Sequence, residues 1–239
     1  MPPPLKPFYS IPIEECHAPL VDLQAGRFHG LLTFVEPHPY VALGALKAYG
    51  GVSPWQARDE VAEALGQAAR HLQAERPGWT IRVFDALRPV AVQRFMVERT
   101  FADLAQAEGL NPADITEETR ARLNERVAVF WAQPNEDPTA PPPHSTGAAL
   151  DLTLTDIEGR EVNMGSPIDE PSERSFPDHF AESSDSAGQT AHANRNLLAR
   201  VMLQAGFVRH KQEWWHFSLG DQYWAWRLGH SSARFGRVV

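Results

Sequence analysis

The chain has 239 residues, 43% of them hydrophobic and 22% charged, an ordinary globular composition with enough length to bury a sizeable core. Its formal net charge is −8, and no Lys/Arg stripe offers the positive charge that a nucleic-acid backbone or an anionic membrane surface requires, so both are excluded as partners. Cys16 is the only cysteine, which rules out an intrachain disulfide, and no apolar run approaches the roughly eighteen residues of a membrane span. The Met1-Pro2-Pro3-Pro4 start lacks the basic-then-apolar pattern of a secretory leader. A soluble cytoplasmic protein is expected.

Residues 1–50 read as irregular, with short strands around Leu31-Leu32 and Phe34-Val35. Ser53, Pro54 and Gln56 have the form of a capping box that opens a helix. Val61, Leu65, Ala68 and Leu72 continue it at helical spacing, and Pro77-Gly78 stops it. Thr80–Phe84 alternates like a strand. A second helix begins at Pro89 and turns Val92, Phe95 and Met96 inward. A third spans 116–132, with Leu123, Val127, Phe130 and Trp131 on its apolar face.

Pro134–Pro143 contains too many prolines to be anything but a loop. Leu150, Leu152 and Leu154 then alternate with polar residues and predict a half-buried strand, with Glu158-Gly159 turning into a partner that ends near Met164. Residues 165–190, rich in Ser, Asp, Pro and Glu, have the length and composition of a lid loop. A last helix spans 192–205 and is stopped by Gly206. Phe207–His210 and Trp214–Leu219 form a closing antiparallel pair. The absence of regular βαβ alternation argues for a single α+β domain over residues 1–239.

Three segments carry chemistry. His144-Ser-Thr-Gly-Ala-Ala-Leu-Asp151 puts an imidazole before a strand and a carboxylate on the face opposite its leucines, with Gly147 free to turn between them. This is a ligand pair suited to zinc, although a surface histidine and an ordinary salt bridge fit the segment equally well. In Glu213-Trp-Trp-His216, the two tryptophans predict a water-poor wall beside a carboxylate able to act as a general base. In a regular strand positions 213 and 216 face opposite sides, so Glu213 must sit at a bend to approach the same point. An aromatic core strand is the plainer reading. In Phe84-Asp85-Ala-Leu-Arg88-Pro89, Arg88 lies between a strand and a helix, where a guanidinium can face a cleft and an oxyanion. It could equally form a surface pair with Asp85. Two histidines and an aspartate leave a fourth position open, as catalytic zinc sites do.

Taken together, these motifs resemble the D-Ala-D-Ala dipeptidases, which are related to D,D-carboxypeptidases and to the metal-binding domain of Hedgehog signalling proteins. The resemblance extends over Met164-Gly165-Ser166 with Asp169 and over Asn194-Arg195-x-Leu-Leu to Gly206-Phe207, so it covers roughly residues 80–219. It implies an α+β fold whose central antiparallel sheet carries one zinc ion on His144, Asp151 and His216. It implies Glu213 as catalytic base, Arg88 at the scissile carbonyl, and Asp169 as the carboxylate that receives the α-ammonium of a short dipeptide, D-Ala-D-Ala first among candidates. The role implied is cell-wall dipeptide turnover or glycopeptide resistance. A carboxypeptidase or other wall-peptide peptidase of the same lineage, or a zinc-bearing binding module without turnover, are the alternatives.

Two departures stand on the substrate side. Pro142 occupies the place of a family serine, and the family's tyrosine- and asparagine-rich N-terminal segment is not recognisable near residues 25–50. Among other polar residues, His179 reads as an ordinary loop histidine, His192 and His210 as solvated, and Trp224 and Trp226 as packing residues. Cys16 has no base beyond its neighbour His17 and is not a nucleophile.

Overall fold

The computed structural model describes residues 6–111, 114–131 and 133–238. In chain order its strands and α-helices are β1 (Leu20–Asp22), β2 (Leu32–Phe34), α1 (Pro39–Ala42), β3 (Gln56–Arg58), α2 (Asp59–Glu75), β4 (Thr80–Asp85), α3 (Val90–Ala107), α4 (Glu117–Phe130), β5 (Ala149–Thr155), α5 (Ser186–Gln204), β6 (Val208–Arg209), β7 (His216–Ser218) and α6 (Gln222–Leu228). The main sheet runs β2-β4-β5-β7-β6, and β1 and β3 form a separate two-stranded sheet. The fold is α+β. The main sheet is antiparallel except at its β2–β4 edge, which is parallel. No helix among the described residues is long and apolar enough to cross a membrane.

The core follows from the two periodicities read in the sequence. Val61, Leu65, Ala68 and Leu72 of α2 and Leu197, Leu198, Val201 and Met202 of α5 face Ile81 and Val83 of β4 and Leu150, Leu152 and Leu154 of β5. Burying each large side chain there contributes about 1.5–3 kcal/mol. β5 is buried along its whole length rather than on one face. Its second face, Asp151, Thr153 and Thr155, is covered as well, which local alternation cannot reveal.

Several local readings are corrected. The Ser53 hydroxyl accepts from the Trp55 N–H and only closes a turn. Gln56–Arg58 then pairs with β1, and the helix starts at Asp59; tertiary strand pairing overrides the capping-box pattern. The turn after Asp156 leads to a single bridge, Thr155 to Glu161, instead of a partner strand. α5 begins at Ser186, capped by Asp185, so it takes up part of the expected lid. α6 carries Trp224 and Trp226, half-buried, against Phe8, Val208 and Tyr223. The side chain of Phe130 lies outside what is described.

Residues 164–176 are a fixed wall. Arg195 of α5 is fully buried and donates to the carbonyls of Met164 (2.7 Å), Phe176 (2.8 Å) and Arg174 (2.7 Å) and to Ser166 Oγ (3.1 Å). The indole N–H of Trp214 donates to the same hydroxyl at 3.0 Å. Arg195→Met should therefore free several buried carbonyls and cost roughly 3 kcal/mol, since each unsatisfied buried group costs ~1–3 kcal/mol. Thermal melting should show the loss, and limited proteolysis should show new cleavage within 165–185. Unchanged protease resistance would mean that Arg195 does not hold this wall.

Candidate metal centre

A β-bulge positions the site. Phe84 and Asp85 of β4 oppose a single residue of β5, and the bulge brings Asp85 level with Asp151. On the other side of β5, Asp151 is level with His216 of β7. Three polar residues thus form one row across three strands. His144 joins them from the 3₁₀ turn Pro143–Thr146, which ends at Gly147 in the left-handed region, φ 70°. The main chain reverses there into β5, as the glycine's freedom allows.

Three potential ligand atoms converge. His144 Nε2 lies 3.2 Å from His216 Nδ1 and 3.2 Å from Asp151 Oδ2, and His216 Nδ1 lies 3.1 Å from Asp151 Oδ1. Nδ1 of His144 is 2.9 Å from the Ala86 carbonyl, to which it donates its proton, leaving Nε2 as a lone pair facing the cluster. Burial opposes charge on Asp151, but His144 and His216 hold its carboxyl well below the usual range, so it remains an anion. Ligand distances of ~2.0–2.1 Å about a tetrahedral ion separate the donor atoms by about 3.3 Å. The observed spacings and the donor set fit such an ion.

Arg88 closes one side of the cluster. Its Nε donates to Asp85 Oδ2 at 2.7 Å, and its terminal nitrogens donate to Tyr40 OH (3.0 Å), Asp151 Oδ2 (3.2 Å) and Gln93 Oε1 (3.3 Å). The Arg88–Asp85 pair exists, but it is buried, with Asp85 at 0% exposure. Burial raises the Asp85 carboxyl; Arg88, His38 and His144 more than offset this and hold it below its ordinary value. His38 Nε2 meets Asp85 Oδ1 at 3.1 Å, while its Nδ1 accepts the Tyr40 N–H. The Arg88 cation lies 4.8 Å from the Tyr40 ring centroid and 5.7 Å from that of Trp131.

Asp169 and Glu213 stand at the rim. Asp169 belongs to an exposed stretch and has φ 64°, but its Oδ2 accepts from the buried Tyr40 hydroxyl at 2.9 Å, which turns the carboxylate into the cleft. Loss of bulk water around that carboxylate and the nearby charges of Asp151 and Glu213 push it up, against the pull of Arg88 and the Tyr40 hydrogen bond. Glu213 sits in the bent segment between β6 and β7, and its Oε2 lies 3.8 Å from His216 Nδ1. The expected dry wall is not there: the Glu213 side chain is 40% exposed. Trp214 packs into the 164–176 wall, so only Trp215 lines the cleft.

Other expectations change too. His210 is not solvated: it lines the cleft 5.5 Å from the His216 ring, and burial, helped by the charges of His216 and Lys6, pushes it down to about 4. His192 is half-buried and bonded to Asn196. His179 is an exposed loop residue, and Cys16 is exposed. Pro142 lines the cleft. Sequence reading missed Asp85, His38 and Tyr40 as parts of this network. The one signal was Asp85 itself, a carboxylate ending an apolar strand three residues before Arg88.

The family model described as "D-ala-D-ala dipeptidase", of the M15 peptidases, matches residues 36–232. The chain belongs to the D-Ala-D-Ala dipeptidase family. It is thus a metallopeptidase of the dipeptidase type. The D-alanyl-D-alanine dipeptidase of Synechocystis is 44% identical over 98% of both chains. That of Escherichia coli is 43% identical over 41% of this chain and 51% of its own. Among solved structures, a mutant of the vancomycin-resistance D,D-pentapeptidase VanY in complex with Zn(II) is 14% identical, covering 75% of this chain and 83% of its own with a TM-score of 0.41. The dipeptidase match begins well before residue 80 and takes in His38 and Tyr40. Residues 36–50 of the N-terminal part that did not read as family-like therefore fall within the match, and they supply Tyr40 to the site.

Proposed function

We propose that this dipeptidase hydrolyses D-Ala-D-Ala in a zinc-dependent reaction, with His144, Asp151 and His216 as the ligands, in the turnover of cell-wall dipeptides. The observation that carries the zinc reading is the triangle of buried donor atoms, flanked by one fixed cation and one exposed carboxylate. A zinc ion held there would polarise the scissile carbonyl and lower the pKa of water. Arg88, locked by four acceptors, presents its positive charge to the oxyanion without reorganising. Glu213, with open access to solvent, takes the proton of the attacking water and delivers it to the leaving amine. Asp169, tied to Tyr40, receives the substrate's α-ammonium. A carboxylate fixed at one end of a short cleft selects for a free amino terminus close to the scissile bond.

The test is amine release from D,D-, L,D- and L,L-dipeptides and tripeptides with zinc-loaded and metal-stripped protein. The reading requires zinc-dependent cleavage of D,D-dipeptides. Cleavage confined to tripeptides or longer chains would instead favour a carboxypeptidase or endopeptidase.

Asp169 has its own test. Asp169→Asn keeps the shape and loses the charge, so KM for the free dipeptide should rise about 10- to 100-fold, the range of a charge-assisted hydrogen bond worth ~1.5–3 kcal/mol. The N-acetylated dipeptide, which has no ammonium, should be handled alike by parent and variant. An unchanged preference for the free dipeptide would remove Asp169 from this role.

A further inference from the structure

Two permanent cations line the cleft around the ligand triangle, Arg88 and Lys6. Arg88 is held by Asp85, Tyr40, Asp151 and Gln93. Lys6 is not so held. Among the described residues it makes no ion pair, and its ammonium lies 5.9 Å from the Phe8 ring centroid. The residue is exposed, yet it lines the same cleft as Asp169, Glu213 and His216. The proposed reaction gives it no task.

The backbone that carries Lys6 is fixed. Pro7 opens the 3₁₀ turn Pro7–Ser10, and the Ser10 hydroxyl donates back to the Pro7 carbonyl at 2.7 Å. Phe8 is buried against Val208 of β6 and Tyr223 of α6, its ring edge-on to that of Tyr223 at 5.4 Å. Gln222 Nε2 donates to the Ile11 carbonyl at 2.6 Å and ties the end of the turn to α6. The Tyr223 ring lies 5.0 Å from that of His210, which lies 5.5 Å from that of His216. Lys6 is thus anchored on the β6 side of the ligand triangle, whereas Asp169 is anchored through Tyr40 and Arg88 on the β4 side.

A free dipeptide is a zwitterion with one scissile bond between its two charges. Asp169 offers a negative charge to the ammonium. The α-carboxylate, on the far side of the scissile carbonyl, needs a positive one, because an unpaired anion in a cleft that also holds Asp151 and Glu213 is costly. Arg88 is already committed to its four acceptors. We propose that Lys6 is a specificity-determining residue that pairs with the α-carboxylate of the substrate's leaving residue, so that Lys6 and Asp169 measure a free dipeptide from its two ends. The proposal rests on the assignment of Asp169 to the ammonium. An ammonium on a flexible stem, carried by a fixed turn, can follow the carboxylate as the leaving amino acid departs.

The experiment compares steady-state hydrolysis of D-Ala-D-Ala with that of its C-terminal amide, using the zinc-loaded parent, Lys6→Gln, Lys6→Arg and Lys6→Glu. Lys6→Gln should raise KM for the free acid about 5- to 20-fold with kcat little changed, less than a buried charge pair would give because Lys6 is exposed. The amide has no charge at that end, so its kcat/KM should be alike in the parent and Lys6→Gln. Lys6→Arg should stay near the parent, and Lys6→Glu should reverse the preference in favour of the amide. Acid and amide falling together in Lys6→Gln, or a parental preference for the acid in Lys6→Glu, would overturn the subsite while leaving the dipeptidase reading standing. Cleavage of another peptide class with the same Lys6-dependent preference for a free carboxylate would keep the subsite and move the substrate. A parent protein that cleaves no peptide would remove both.

Discussion

Arg88→Ala should lose stability and activity together. Asp85 is fully buried, and with the guanidinium gone only His38 and the neighbouring His144 remain to offset its charge. Removing one partner of a buried pair costs about 3–5 kcal/mol, because the other charge is left uncompensated. Near the melting point that corresponds to a fall of roughly 10 °C for a chain of this size. Turnover should fall by about 10²–10³ as well, the usual cost of deleting one oxyanion donor. Arg88→Lys separates the two effects. An ammonium restores much of the charge balance but cannot fork to Asp85, Tyr40, Asp151 and Gln93 at once. Its melting should recover while its turnover stays low.

The pH dependence of the stability deficit has a definite sign. In the parent the Asp85 carboxyl is held below its ordinary value, burial being outweighed chiefly by Arg88. Such a group stabilises the folded state above its unfolded pKa, and that stability is lost as pH falls through the folded value. The Arg88→Ala deficit should therefore be largest near neutrality and narrow in acid, where the orphaned carboxylate takes up a proton. Metal-free urea melts at neutral and acid pH test this. A deficit that does not change with pH would place the damage in lost packing over Tyr40 and Trp131 instead.

Glu213→Gln should leave fold and metal in place and remove most of the chemistry. The side chain is 40% exposed and Oε2 is 3.8 Å from His216 Nδ1, outside the 3.1–3.2 Å ligand triangle. Stability should change by no more than about 0.5 kcal/mol, as for other surface substitutions. The amide cannot accept and return a proton, so kcat should fall about 10²- to 10⁴-fold with zinc content unchanged. His216→Ala is the contrasting variant and should lose metal. Activity near the parent level in Glu213→Gln would assign proton transfer to another group, and His210 at the same cleft would be the next to test.

What the sequence determined by itself is what short-range periodicity and residue chemistry can carry. The apolar spacing of Val61 to Leu72 and of Leu197 to Met202 set two helix faces, and the alternation of Leu150, Leu152 and Leu154 set the strand that bears Asp151. The segments bearing His144, Asp151 and His216 were each open to a plainer reading, and only their combination, through the resemblance it carries, singled these residues out as candidate ligands. Only the tertiary structure decided how they meet. Asp85 enters the site through a bulge in β4, and the level row of Asp85, Asp151 and His216 comes from pairing across three strands. Tyr40 and His38 arrive from a segment that has no periodicity to read. Gln56–Arg58 became a strand instead of a helix start because β1, far away in sequence, offered it a partner. The 164–176 wall is fixed by Arg195, a charge in the middle of a helix whose acceptors are backbone carbonyls and one serine hydroxyl. Hydrogen bonds to main-chain carbonyls and sheet register depend on which segments lie side by side, and no local pattern of side chains records that.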